Sequence, residues 1–163
     1  MEFDPTYDYS QTDLTDSKNL AYLNFYQLII TLITLSSSAE KQTEIIGYGA
    51  VCDEMAIDFE SYFTLTVNEY KNFDLLNNLQ LEKLNELDLF LDNRSGEKSP
   101  DFWDDFLLET NREWEVVRQM AKDILKLLEM EDLKLEFKRE ERFVETNEGK
   151  KLVMQSTKTF LVR

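Results

Sequence analysis

Residues 20–35 are almost wholly apolar, in a chain of 163 residues that carries 33 acidic and 18 basic side chains. Such a run must be kept from water, and that requirement shapes whatever folds around it. At 16 residues it falls short of the ~20 that span a bilayer as a helix. Its polar members, Asn24, Gln27, Thr31 and Thr34, are spaced 3, 4 and 3 apart and share one narrow stripe of a helix. The run therefore predicts the buried helix of a soluble core over residues 17–35, capped by Asp16 or Ser17. The dense β-branched residues of 29–35 leave a strand as the alternative there.

The rest of the chain must supply the cover. Residues 1–15 are polar, acidic and tyrosine-bearing, with little periodicity, and read as a tail or extended arm. Residues 39–50 are ambiguous: they are compatible with a short helix through Ile46, before Gly47-Tyr48-Gly49 permits a sharp change of direction. Residues 53–70 and 78–92 read as helices, the first with Met55, Phe59 and Phe63 on one face, the second with Leu81, Leu84, Leu87 and Leu91. Ser99-Pro100 predicts a helix restart. Thr110 and Glu113 predict a capping box ahead of the stripe Trp114, Val117, Ala121, Ile124 and Leu128.

The period then changes. Leu133, Leu135 and Phe137 alternate with Lys134, Glu136 and Lys138, a strand signature, and Asn147-Glu148-Gly149 supplies a turn before a second alternating segment. Pairing in which residue numbers sum to 295 keeps apolar residues on one face. A sum of 296 opposes Lys138 to Lys158, so 295 is the expected register. The predicted architecture is α+β: four to five helices packed as a bundle over about residues 17–130, then an antiparallel β-hairpin over about 132–163, in one domain from residue 16.

Charge is unevenly spread. Residues 1–131 carry 27 acidic and 10 basic side chains, a net of −17, whereas residues 132–163 carry 6 and 8, a net of +2. A field of this sign draws cationic partners in and opposes direct binding to nucleic acid, whose phosphates need cations. The chain has no histidine, which removes Ser-His-Asp and Cys-His catalysis and histidine-ligated metals. Cys52 stands alone, so no disulfide framework is available. Its neighbours Asp53 and Glu54 disfavour the thiolate, and it reads as an inert core residue. No glycine-rich phosphate loop is present. The acidic N-terminus lacks the basic start and apolar run of a signal peptide, which makes a reducing cytoplasm the expected home.

Two acidic clusters, Asp53, Glu54, Asp58 and Glu60, and Asp101, Asp104 and Asp105, have the oxygen chemistry of a divalent-cation site or of a general acid–base pair. Neither has the layout of an EF-hand loop, and chance proximity is expected with 33 acids. The expectation is a non-enzymatic protein without metal or cofactor.

Gly47-Tyr48-Gly49, Cys52-Asp53-Glu54-Met55-Ala56-Ile57-Asp58-Phe59, Leu84-Asn85-Glu86-Leu87-Asp88, Phe102-Trp103 and Glu113-Trp114 give residues 47–128 a texture that resembles bacterial polymorphic-toxin immunity proteins. The resemblance implies a cytoplasmic, non-enzymatic protein that neutralises a cognate toxin by tight binding. Independently, carboxylates on rigid helices suit a basic toxin or nuclease domain as partner. The candidate partner-binding residues are Asp53, Glu54, Asp58, Glu60, Asp101, Asp104, Asp105 and Glu109, with Trp103 as an apolar anchor. The alternatives are a decoy that imitates nucleic acid toward a DNA-binding protein, and an oligomeric structural or adaptor protein that uses the hairpin as its interface.

Overall fold

The apolar run forms helix α1, Ser17–Ser36, in the computed structural model, which describes residues 2–163. Asp16 caps it, accepting from the amides of Lys18 and Asn19. Every residue from Leu28 to Leu35 is buried, more than two full turns, so the helix is enclosed on all sides. By length and composition α1 is long and apolar enough to cross a membrane, yet 67% of its most apolar 18-residue stretch is buried inside the fold. Its threonines tolerate this because their hydroxyls donate back to the helix carbonyls of Gln27 and Ile30, at 2.9 Å each.

The enclosing elements follow in order. They are α2 (Ala39–Ile46), α3 (Val51–Phe59) with a π-helical turn at Glu60–Thr64, α4 (Val67–Asn72), α5 (Asn78–Asp92) and α6 (Arg112–Leu127). The antiparallel strands β1 (Lys134–Thr146) and β2 (Gly149–Val162) complete an α+β fold. Helix α6 lies along α1 and buries Trp114, Val117, Ala121 and Ile124, the stripe its spacing predicts. Its own back is covered by α5 through Leu84, Leu87 and Leu91. Buried polar groups stitch these helices together. Gln42 donates to the Leu35 carbonyl at the end of α1, and Arg118 donates to Gln42 and to the Leu108 carbonyl.

Four local expectations change. The N-terminal segment is no tail: Tyr9 is 0% exposed, and Phe3 stacks on it while meeting Tyr22 and Phe25 edge-on. Its aromatic rings outweigh the polar residues between them. The helix expected over 53–70 is interrupted between Thr64 and Val67, where β-branched residues crowd and the Tyr70 hydroxyl donates back to the Tyr62 carbonyl. No helix restarts at Ser99-Pro100. Phe102 is drawn into the core there, and Trp103 donates its indole N–H to the Arg94 carbonyl. Asn111, one residue after Thr110, caps α6 by accepting from the Glu113 amide.

The hairpin register changes as well. Pairs sum to 295 only from Phe143–Leu152 to the turn. From Arg142–Met154 downward they sum to 296, with Val153 as the extra, bulged residue. Lys138 and Lys158 therefore do face each other. Both are exposed, where water screens the repulsion, and Asp8 lies near Lys158. What fixes the register is docking. Leu161 is buried and donates its N–H to the Tyr26 hydroxyl, Arg139 donates to the carbonyls of Glu44 and Ile45, and Gln155 accepts from the Tyr48 amide.

Gly47 makes this docking possible. It has φ +79°, and a Cβ there would sit 2.6 Å from the Gln155 side-chain oxygen and 2.8 Å from Arg139 Cζ. Gly47→Ala is expected to cost roughly 1–3 kcal/mol through backbone strain and displaced hydrogen bonds. Hydrogen exchange should quicken in β1 and β2 while α5 and α6 keep their protection. Uniform loss of protection across the helices would contradict local undocking.

Candidate functional site

Helix α3 organises the acidic surface. Ala50 precedes it and has no capping side chain. The cap comes instead from Asp105, whose carboxylate accepts from the amides of Val51 and Cys52 at 3.0 Å each. Along α3 and its π-helical turn, Asp53 and Glu60 lie seven residues apart and share one flank. Glu54 and Asp58 lie four apart on the next.

The first flank faces α5 across a cleft of about 720 Å³. Asp53 and Glu60 line it from one side, Asp88 and Asp92 from the other. Ala56, Ile57, Phe59, Leu91 and Trp103 give it apolar walls, and none of its described lining residues is basic. Thr64 donates its hydroxyl to Asp88 at 2.9 Å, which ties the π-helical turn to α5 and holds one carboxylate in place. Trp103 is half-buried, fixed by its bond to Arg94 and packed edge-on against Phe102. It is a wall of the cleft more than a free anchor.

The second flank places Glu54 and Asp58 in a separate polar cavity beneath β2. Burial, followed by the nearby charge of Glu54, pushes the Asp58 carboxyl up to about 6. Cys52 is fully buried, and its thiol is pushed well above the usual range by burial and then by Asp105.

The nine candidate residues are thus not one face. Asp53, Glu60 and Trp103 come together, and Glu54 and Asp58 form a second group. Asp104 caps the 3-10 turn Asp105–Leu107 by accepting from the Phe106 amide, and Asp105 caps α3, so both carboxylates already hold the fold. Asp101 and Glu109 are exposed and line neither cavity. Asp88 and Asp92 were missed, although their i, i+4 spacing beside the α5 leucine stripe is a readable signal. Phe106 was missed too. It is 97% exposed, next to the Asp105 cap, and no pattern in the sequence distinguishes it from the buried Phe102.

Among the described residues, no three acidic or cysteine side chains converge to hold a metal ion. No family model, no curated protein and no solved structure matches the chain.

Asp105→Ala is expected to lower stability by about 1–3 kcal/mol through the lost cap. Asp101→Ala and Glu109→Ala should stay within about 0.5 kcal/mol of the parent. Chemical denaturation of the three variants checks this ranking. Asp58 behaves in the opposite sense to a paired carboxylate. Its folded value of about 6 lies above the ~3.9 of an unfolded chain, so protonation favours folding. The stability contributed by its protonated form is fully present below about 4 and is lost as pH rises through 6. Asp58→Asn should therefore raise the melting temperature at pH 7.5, with the gain vanishing near pH 4. A variant less stable than the parent at pH 7.5 would refute this.

Proposed function

We propose that the chain is a non-enzymatic acidic binding protein of the immunity type, which neutralises a basic toxin or nuclease domain by seating a basic segment in the α3–α5 cleft. The observation that carries this reading is the cleft itself: four carboxylates, Asp53, Glu60, Asp88 and Asp92, rim apolar walls. A lysine or arginine side chain has the same division, with an aliphatic stem and a charged head. The stem would lie on Ile57 and Leu91 while the head meets a carboxylate in a charge-assisted hydrogen bond. Exposed Phe106 is suited to serve as an apolar contact at the capped end of α3. The net charge of −17 over residues 1–131 would speed encounter with such a partner and make it salt-dependent.

The test is capture of a basic protein from native lysate at low and at high salt, by parent and variant proteins. Asp88→Lys/Asp92→Lys should lose the captured protein at low salt. Asp101→Lys/Glu109→Lys, with the same change in net charge outside the cleft, should keep it. Equal loss from both pairs would mean that total charge, not the cleft, governs binding. No basic protein captured at low salt would overturn the reading.

A further inference from the structure

The cavity on the other flank of α3 has about 360 Å³, is bordered by β2 and opens to solvent. That volume lies at the small end of the range for ligand pockets, ~300–1,000 Å³. It explains why the core helix carries a polar stripe, because Gln27, Thr31 and Thr34 of α1 form one wall. Glu54, Asp58 and Tyr62 form the wall opposite, and Gln155, Thr157 and Thr159 of β2 complete it. The threonine hydroxyls of α1 spend their protons on helix carbonyls, which leaves oxygen acceptors toward the cavity.

Asp58 is the anomaly. It is half-buried, and among the described residues no hydrogen bond or ion pair compensates its carboxylate. The environment acting on it consists of burial and the charge of Glu54. The Asp58 oxygens keep some contact with water, and a partly dehydrated carboxylate with no donor gains from a cation placed beside it. The cavity's lining residues include no lysine or arginine; Arg139 stands at its edge, its guanidinium committed to Thr157 Oγ1 and to the carbonyls of Glu44 and Ile45. A bare divalent ion needs six or more oxygens around it, and three acidic side chains do not converge here. A cation that brings its own N–H donors fits the acceptors better, with aliphatic carbons against Ile30, Ile45 and Ile46.

We propose that this cavity binds a small organic cation: a primary alkylammonium or guanidinium on a short aliphatic chain. The site is independent of the acidic cleft. Because its walls belong to both the helical body and β2, an occupant would bridge the two and hold the hairpin down.

Putrescine and agmatine are the probes, titrated by calorimetry into the intact protein, with neutral N,N′-diacetylputrescine as control. One saturable site is expected for the two cations and none for the control. Asp58→Asn and Gln27→Leu should each weaken binding at least tenfold, while Asp53→Asn/Asp92→Asn in the cleft should leave it unchanged. Bound putrescine should also slow amide exchange at Thr157 and Thr159. Absence of saturable binding, multiple equivalent sites, or equal weakening by the cleft variant would overturn the proposal, since the last two describe a diffuse polyanion. The cleft variant also separates this site from the proposed basic-partner surface, because each can fail while the other stands.

Discussion

Burial of α1 on all sides is the constraint on which the other elements depend. An ordinary amphipathic helix needs cover on one stripe. A helix buried through eight consecutive residues, Leu28 to Leu35, needs it all round. Helix α6, α3, the N-terminal aromatic segment and the base of the hairpin each close one side. Each of these elements must turn its apolar face inward, so the carboxylates have only the outer surface left. The acidic shell and the apolar axis are thus two results of one arrangement, and the repulsion within the shell is held in check by the core it surrounds.

Polar groups supplied from far along the chain finish what local sequence leaves open. Asp105 caps α3 from 54 residues away, Arg139 takes the end carbonyls of α2 from the hairpin, and Tyr26 caps the edge of β2 at Leu161. Each satisfies a helix end or strand edge that its own neighbours do not satisfy. This changes how the acidic residues are to be counted. Asp104 and Asp105 look like binding carboxylates in a tally of charge, but their oxygens are committed to backbone amides. Asp53 and Glu60, on the exposed flank of α3, carry no such commitment.

Much of the fold was legible because long elements with regular periods announce themselves. The extent of α5, the α6 stripe and the two strands follow from spacing alone, since many residues repeat the same pattern. What escaped was decided by few residues or by distant ones. The register depended on Arg139 and Gln155 reaching α2, which no property of β1 and β2 by themselves contains. The stretch after Ser99-Pro100 has sound helix-start chemistry, but the burial of Phe102 and the Trp103–Arg94 bond determine its path. The candidate site divided for a similar reason. Asp53, Glu54, Asp58 and Glu60 are one cluster in sequence, and only the placement of α5 and β2 on different sides of α3 separates them.

That separation gives one helix two kinds of carboxylate. On the α5 flank, Asp53 and Glu60 are exposed, so they keep their water and act through long-range field and rim contacts. On the β2 flank, Asp58 has lost much of its water and gained a like charge, so its ionisation is costly and local. The first environment suits a large cationic surface that arrives quickly and leaves with salt. The second suits a ligand small enough to enter a narrow, partly open cavity and supply the missing donors itself. A single helix, capped by Asp105, carries both flanks.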